Sequence, residues 1–366
     1  MTEFNKYEYE VGIREDLLKR GIPTIIPFRQ FPRLAEKLPG IIHGEQVLIS
    51  ANSGSGKSRF FKAWMKDVVN FGKENGLKIK IFLNSLEETP AKIRTSVTAS
   101  EVYKKYGVEL TYYDINMHKL KFTQQDIENR RMIDSVQDKI NEFYENFEVV
   151  MIPNPYGFYL HVLKYLFDNG KFYKDAKQVT TWEEVKSGSQ HWNRYVPNDL
   201  SQFVIAASDT LDSYIEESGK TQYETIKQFS KFFTRKMLGM TCGVASIFIQ
   251  QQDPDLSRAQ VNFKGQTMID QCKPGLDKLR VFRGSAEDAT IAFGLFDPVY
   301  FGETHYMDYD IDRFKDGNLR TICILKTREG KNLRGAEIPI MCYFGRDEFV
   351  ELPKPENITE INKFYQ

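Results

Sequence analysis

An eight-residue stretch, ANSGSGKS at residues 51–58, places glycines, serines and one lysine between a strand-like run and an amphipathic helical run. It fits a pattern of Ala or Gly, four residues of any type, Gly-Lys, and Ser or Thr. Gly54 and Gly56 allow successive backbone N–H groups to point at phosphate oxygens. Lys57 supplies a cation for the β- and γ-phosphates, and Ser58 supplies a hydroxyl for Mg²⁺. We therefore predict a nucleoside-triphosphate site, with contacts from Ser53, Gly54, Ser55, Gly56, Lys57, Ser58 and Arg59.

Polar side chains that follow other strand-like runs form a second group of candidates. Hydrolysis of a nucleoside triphosphate needs an acid that holds Mg²⁺ and a base that orients water, both beside the phosphate loop. The run KIKIFLNSLEE presents Glu87 and Glu88, and QFVIAASDTLD presents Asp209, with Asp212 one turn later. A third run, GVASIFIQQQDPD, ends in glutamines. Of these, Gln251 is placed to contact the γ-phosphate and to respond to its loss.

The elements that position these residues follow from hydrophobic periodicity. After Lys57, the residues Phe60, Trp64, Val68 and Phe71 recur at helical spacing, which predicts a helix with one buried face. Strand-like runs alternate with helical runs along the chain, which indicates a layered α/β fold. The predicted strands cover residues 46–50, 79–83, 147–152, 203–207, 245–249, 289–293, 320–325 and 337–343.

Other passages carry weaker patterns. Residues 7–19 predict a short helix, and apolar residues at helical spacing between 224 and 237 predict a helix that packs on the sheet. We interpret residues 103–200 as an insertion on the surface of the fold, and the polar stretch 180–202 as loop. Residues 302–318 predict a hairpin between two core strands.

Bulk properties limit the class of protein. The chain has 366 residues, 41% of them hydrophobic, and a formal net charge of zero, which suits one large globular domain or two. No apolar run approaches the ~20 residues that span a bilayer, and the N-terminus is polar, which predicts a cytoplasmic protein. Four cysteines lack CxxC spacing, so we predict reduced thiols, without disulfides or zinc. Zero net charge argues against a protein coated in nucleic acid but leaves room for a local basic channel.

Taken in order, the motifs resemble those of the replicative DnaB-type hexameric helicases of the RecA-like superfamily, in a compact phage-like form. The resemblance extends over about residues 21–351. The segments that carry it are GIPT at 21–24, ANSGSGKS at 51–58, SLEE at 85–88, DTL at 209–211, IQQQ at 249–252, LRVFRGSAEDA at 279–289 and KTREG at 326–330.

The resemblance implies an α/β RecA-like core with a central, mostly parallel sheet flanked by helices. Residues 1–20 would form a helical arm, residues 21–351 the ATPase domain with 103–200 as an atypical insertion, and residues 352–366 a tail.

It also implies roles for individual residues. Glu87 takes the role of the catalytic glutamate, and Asp209 joins Ser58 at Mg²⁺ as the Walker B aspartate. Gln251 matches the glutamine sensor of the γ-phosphate. Lys326 and Arg328 would reach the γ-phosphate bound by the neighbouring subunit, which makes hydrolysis depend on assembly.

The partners implied are ATP with Mg²⁺, single-stranded DNA, and further copies of the chain in a hexameric ring, with a primase or loader as an additional family partner. No membrane partner is expected, and a phage-encoded enzyme would work in the host cytoplasm. Loops at about 213–222 and 253–278 would line the channel, where Arg258, Lys264 and Lys273 are the candidate phosphate contacts.

Three other functions stay open on the sequence. A RecA/RadA-type recombinase would form an open filament, although KTREG and GIPT favour the helicase. A RecA-like scaffold or regulatory ATPase that never touches DNA is compatible with zero net charge and with the acidic loop at 213–222. A packaging motor is a weaker alternative, because no nuclease-like acidic cluster follows the ATPase motifs.

Overall fold

We analysed a computed structural model, which describes residues 15–116, 123–188, 190–255, 268–314, 318–328 and 333–365. Most of the predicted N-terminal helix lies outside these ranges. Its described part, residues 15–19, is helical, and Leu17 there is buried in the core.

Sixteen strands occur among the described residues. In chain order they are β1 (Ile25–Ile26), β2 (Ile41–Ile42), β3 (Gln46–Ala51), β4 (Lys78–Ser85), β5 (Phe147–Val150), β6 (Gly170–Lys174), β7 (Lys177–Val179), β8 (Arg194–Pro197), β9 (Gln202–Asp209), β10 (Ala245–Gln251), β11 (Ile291–Phe296), β12 (His305–Tyr306), β13 (Tyr309–Asp310), β14 (Asn318–Thr327), β15 (Glu337–Tyr343) and β16 (Glu348–Glu351).

Nine of these strands form one central sheet in the order β16-β15-β14-β11-β3-β10-β9-β4-β5. The six strands from β11 to β5 are mutually parallel, whereas β14, β15 and β16 pair in antiparallel fashion at one side. All eight predicted strands are present in this sheet, and the predicted α/β fold with a mostly parallel sheet is confirmed. We call the side where the parallel strands end the carboxyl edge, and the other side the amino edge.

Helices cover both faces of the sheet. They are α1 (Pro32–Ala35), α2 (Lys57–Asn75), α3 (Pro90–Tyr106), α4 (Tyr112–Asn116), α5 (Gln124–Asp134), α6 (Gln137–Asn146), α7 (Pro155–Asp168), α8 (Trp182–Lys186), α9 (Gln222–Gln228), a π-helix (Phe229–Thr241), α10 (Ile269–Cys272), α11 (Gly284–Asp288) and α12 (Ile358–Ile361).

Each face of the sheet has its own apolar core. Along β3, Val47 and Ile49 belong to the core under α2, α3, α5 and α6, whereas Leu48 belongs to the core under α7, α9 and the π-helix. This alternation follows from the two-residue period of a strand, and its apolar residues on both sides are typical of a buried parallel sheet. The predicted buried face of α2 is confirmed for Phe60, Trp64 and Val68, and Phe71 packs partly buried at its end.

The interpretation of residues 180–202 as loop is wrong. This passage contains α8 and β8, and β8 joins β6 and β7 in a small antiparallel sheet. Trp192 is fully buried, donates a 2.8 Å hydrogen bond to the carbonyl of Val185, and packs on Phe172 with a ring separation of 4.7 Å. A few large aromatic residues separated by polar ones form this core, so the sequence shows no regular repeat of apolar residues that would predict it.

Two other predictions about irregular passages are confirmed. Residues 302–318 include the hairpin of β12 and β13, between core strands β11 and β14. The helical run from 224 to 237 lies against the sheet with Ile226, Phe229 and Met237 buried, although its second half is a π-helix. None of the helices among the described residues is both long and apolar enough to cross a membrane.

Candidate active site

The loop between β3 and α2 has the backbone of an anion cradle. Gly54 and Gly56 both adopt positive φ, 81° and 92°, a region that side chains with a Cβ rarely enter. Gly56 is the N-cap of α2 and offers no side chain to the free N–H groups of the first turn. Those groups and the positive end of a 19-residue helix are therefore available to phosphate oxygens.

Lys57 lies at the end of this loop, near enough to Asp209, Glu87 and Asp212 for their charges to act on it. Its Nζ donates hydrogen bonds to the carbonyls of Ala51 (3.3 Å) and Asn52 (3.1 Å). Burial lowers the pKa of Lys57, and the negative charges of Asp209 and Glu87 oppose that shift. A buried ammonium held by backbone carbonyls is ready to exchange them for phosphate oxygens.

Asp209 ends β9 at the carboxyl edge and is only 2% exposed. Its carboxylate receives a hydrogen bond from Ser58, while its Oδ1 is buried with no hydrogen-bond partner among the described residues. Burial raises its pKa to about 6, and the neighbouring charge of Glu87 adds to the shift. A hydroxyl beside a buried carboxylate with a free oxygen fits the oxygen ligands that Mg²⁺ prefers.

Glu87 follows β4 and stands exposed above the same edge. Its Oε1 accepts hydrogen bonds from Nε2 of Gln251 (2.9 Å) and from the hydroxyl of Thr210 (3.2 Å). The peptide bond that joins Asp209 to Thr210 is cis. The structure thus brings together Lys57, Ser58, Glu87, Asp209 and Gln251, which the sequence predicts separately.

Asp212, which the sequence offers as a candidate carboxylate one turn after Asp209 without a specific role, also belongs to this cluster. Its Oδ2 accepts the backbone N–H of Gln251 at 2.9 Å, and its Oδ1 lies 3.5 Å from Nε2 of Gln250. Burial raises the pKa of Asp212 to about 6, against the hydrogen bond from Gln251 and the charge of Arg280. In the sequence, only its position about one turn after Asp209 points to this residue.

The chain resembles known proteins in structure and not in sequence. No protein-family model matches the chain, and no curated protein matches its sequence. Among solved structures, the ATPase domain of G40P superposes with a TM-score of 0.59 at 16% identity, over 95% of this chain and 99% of that domain. A DnaB-like replicative helicase, described with its interactions with primase, also gives 0.59 at 16% identity, over 94% of this chain and 68% of the other.

The chain has a RecA-like fold. A KaiC-like protein from Pyrococcus horikoshii matches less well, with a TM-score of 0.46 at 14% identity over 90% of this chain and 100% of the other. The RecA-like core of this chain resembles the ATPase domain of DnaB-like helicases over nearly its whole length.

In this RecA-like core, Lys326 and Arg328 lie far from the phosphate loop of their own chain. Thr327 pairs with Ile291, and Ile291 pairs with Val47 at the amino edge, four residues before Ala51. At ~3.3 Å per strand residue, that separation is roughly 13 Å along the sheet. The Nζ of Lys326 donates to the carbonyls of Ala286 (2.5 Å) and Glu287 (3.0 Å), and Arg328 also donates to the carbonyl of Glu287.

The predicted nucleic-acid contacts are only partly described. Arg258 and Lys264 lie outside the described residues. Lys273 is half-buried and forms ion pairs with Glu337 (2.5 Å) and Asp270 (2.7 Å), which raise its pKa against the effect of burial. Its contact with DNA stays a prediction, and these ion pairs count against it because they already neutralise its charge.

A turn from the far end of the chain lies against the phosphate loop of the RecA-like core. A Cβ on Gly56 would lie 2.7 Å from the ring of Phe344, which follows β15 at the carboxyl edge. Arg59 donates to the carbonyl of Phe344 and lies 3.2 Å from the buried carboxylate of Asp347. Sequence reasoning missed this turn, and nothing local to residues 344–347 points to it. The nucleotide contact assigned to Arg59 stays a prediction.

Proposed function

We propose that this chain is a ring-forming, ATP-dependent DNA helicase that hydrolyses ATP at subunit interfaces, moves along single-stranded DNA and unwinds duplex during replication. One observation carries the proposal most directly. The candidate phosphate-binding, Mg²⁺-binding and water-orienting residues lie together at the carboxyl edge, and the two candidate cationic fingers lie at the amino edge. Such an arrangement is useful if the amino edge of one copy meets the carboxyl edge of the next.

Each group at the carboxyl edge has a distinct part in hydrolysis. The N–H groups of the phosphate loop and Lys57 bind the phosphates, and Ser58 and Asp209 would hold Mg²⁺, which neutralises phosphate charge when it is bound. Glu87 is exposed, so that it can orient and polarise an attacking water. Gln251 touches Glu87 and is positioned to respond to the γ-phosphate.

Lys326 and Arg328 would act on the ATP of the neighbouring subunit. A cation that arrives from another chain stabilises charge in the transition state and ties turnover to assembly. Both side chains donate hydrogen bonds to backbone carbonyls of α11, which accept them without neutralising the positive charges. In this proposal residues 21–351 form the ATPase domain, residues 1–20 an arm and residues 352–366 a tail.

Single-stranded DNA would pass through a channel lined by loops at about 213–222 and 253–278. The likeness to a DnaB-like replicative helicase supports DNA as the track and a primase as a candidate partner in the cytoplasm. The first loop weakens the case, because it is acidic and its lysine, Lys220, is paired with Glu217 at 2.6 Å. A scaffold ATPase that binds no DNA is therefore the alternative to test.

The decisive experiment measures ATP turnover with and without single-stranded DNA, on protein whose mass in solution is recorded with Mg²⁺ and nucleotide. The helicase proposal expects a ring-sized assembly whose turnover rises with DNA and falls in Arg328→Ala. Turnover that ignores DNA would favour the scaffold ATPase and remove the channel assignments. Absence of turnover under all conditions would overturn the ATPase itself.

A further inference from the structure

A buried lysine lies one helical turn behind the phosphate site. Lys62 follows Ser58 by four residues on α2, so both side chains project from one face of the helix. The side chain of Lys62 is only 4% exposed. Its Nζ lies 3.2 Å from Oε2 of Glu88, 2.9 Å from the hydroxyl of Ser96 and 3.9 Å from Oδ2 of Asp347.

The partner of this lysine, Glu88, is the residue next to Glu87. Besides Lys62, its carboxylate binds Lys92 at 3.0 Å. The turn that carries both glutamates is closed by Ser85, whose hydroxyl donates to the carbonyl of Glu88 (2.7 Å) and accepts its N–H (3.2 Å). Glu88 is thus fixed to α2 on one side and to the end of β4 on the other.

The Glu88 carboxylate of the Lys62–Glu88 pair is held in its charged form. Burial raises the pKa of Glu88, but Lys62 and Lys92 outweigh burial, and the pKa lies below its usual value. Burying two charges costs more than packing two apolar side chains, so the pair is a poor device for stability alone. What the pair does supply is a defined distance between α2 and the turn at residues 85–88.

That distance matters because α2 carries a residue of the proposed Mg²⁺ site and the turn at residues 85–88 carries the residue proposed to orient water. Ser58, one turn before Lys62, contacts the carboxylate of Asp209, where Mg²⁺ would bind. Glu87, one residue before Glu88, is the candidate for orienting water. A shift of the turn relative to α2 would therefore move the attacking water relative to the phosphate, and misplacement by about 1 Å can cost ~10²-fold in rate.

We propose that Lys62 is a positioning residue for ATP hydrolysis, which holds Glu87 at its working distance from Ser58 and Asp209 through the carboxylate of Glu88. The inference rests on the proposed hydrolysis of ATP. Lys62 touches neither nucleotide nor water in this proposal and acts only through Glu88.

Lys66 provides a matched control on the same face of α2, one turn further on. Its side chain is 10% exposed, and its Nζ binds Glu101 (2.6 Å) and the hydroxyl of Ser100 (2.9 Å). Both partners belong to α3, and neither belongs to the turn at residues 85–88. Replacing Lys66 therefore removes a comparable buried ion pair without releasing Glu88.

The test compares Lys62→Met, Lys62→Arg and Lys66→Met by turnover number, KM for ATP, and binding of a non-hydrolysable ATP analogue. We expect Lys62→Met to lower kcat by about tenfold or more while KM and analogue binding change little, because positioning rather than binding is lost. Lys62→Arg should recover much of the loss, and Lys66→Met should leave kcat nearly unchanged.

Equal kcat in Lys62→Met and Lys66→Met would overturn the inference while leaving the ATPase standing. A wild-type chain without turnover would overturn the proposed function, and the inference with it. If Lys62→Met does not fold, Glu88→Gln decides, because it keeps the size of the side chain and removes only the charge that Lys62 holds. A kcat drop in Glu88→Gln supports the positioning role, and an unchanged kcat overturns it.

Discussion

The side-chain amide of Gln251 donates a 2.9 Å hydrogen bond to Oε1 of Glu87, across the end of the strand that lies between them. Gln251 ends β10 and Glu87 follows β4, and β9 with its terminal Asp209 separates the two in the sheet. The bond therefore passes beside Asp209, the candidate Mg²⁺ ligand. It joins Gln251, the candidate γ-phosphate sensor, to Glu87, the candidate for orienting water. A change at either end is transmitted directly to the other.

Replacement of Glu87 by Gln should slow ATP hydrolysis strongly without weakening nucleotide binding. Gln keeps the shape and the hydrogen bonds of the side chain but cannot accept a proton, so kcat should fall by about 10²- to 10⁴-fold. Turnover and analogue affinity, measured on the same preparation, give the answer. Glu183→Gln, at an exposed site on α8, is the control. Turnover in Glu87→Gln equal to that of the control would remove Glu87 from the reaction.

The Mg²⁺-free protein should become more stable when Asp209 is replaced by Asn. The folded pKa of Asp209 is about 6, above the ordinary 3.8, because the folded protein holds the proton on this carboxyl more tightly than the unfolded chain does. The protonated carboxyl therefore favours the folded state fully below pH ~4, and this stabilisation is lost as the pH rises to ~6. At pH 7.5, Asn should therefore raise the free energy of unfolding by about 1–3 kcal/mol. Denaturant unfolding with EDTA measures it, with the exposed Asp134→Asn as the control.

The same substitution should remove stabilisation by Mg²⁺. In the wild type, Mg²⁺ competes with the proton on Asp209, so its effect on Tm should grow as the pH rises through ~6. Thermal unfolding with and without Mg²⁺ and nucleotide, from pH 5 to 8, tests this. A Tm rise that persists undiminished in Asp209→Asn would place the metal elsewhere.

Two inactive variants should restore activity when they are mixed. Lys57→Ala lacks its own phosphate site, and Arg328→Ala lacks the cation for its neighbour, so each should be inactive alone. In a random one-to-one mixture, about a quarter of the interfaces combine an intact Lys57 with an intact Arg328. Recovery of turnover towards that fraction is expected, with mass in solution as the check on assembly. No recovery, or full activity in Arg328→Ala alone, would contradict a role in trans.

Trp192→Ala should strongly destabilise the region around the small sheet. The indole is fully buried against Phe172 and is hydrogen-bonded to Val185, and aromatic truncations of this kind cost about 3–5 kcal/mol. Tyr300→Ala is the matched control, since that ring is 71% exposed and its loss should change stability by less than about 0.5 kcal/mol. Denaturation midpoints compare the two, and equal midpoints would mean that the aromatic core is not formed.

The sequence predicted the features that depend on short runs of consecutive residues. The phosphate loop is eight consecutive residues, and the parallel strands are short apolar runs, so their positions and the edge on which Lys57, Asp209 and Glu87 meet could be inferred. Their mutual contacts, such as the bond from Gln251 to Glu87, needed the strand order, which no local pattern contains.

The features that were missed depend on residues far apart in the chain. Phe344 and Asp347 reach the phosphate loop from almost three hundred residues away, through the antiparallel strands β14 and β15. The core around Trp192 depends on rings from β6 and β8 rather than on a repeating pattern. In the sequence, Lys62 is one charged residue among several on an amphipathic helix, and only its contact with Glu88 distinguishes it.

The central position of β3 has a consequence for synthesis of the chain on the ribosome. Its two partners in the sheet, β10 and β11, pair with it at Ser246↔Gln46 and Ile291↔Val47, about two hundred residues or more downstream. At roughly 5–20 residues per second, the strand that leads into the phosphate loop waits for about 10–40 seconds before its first partner, β10, has been translated. During that interval an apolar strand with two unpaired edges is exposed, and we expect newly made chains to need chaperone protection until β11 has emerged.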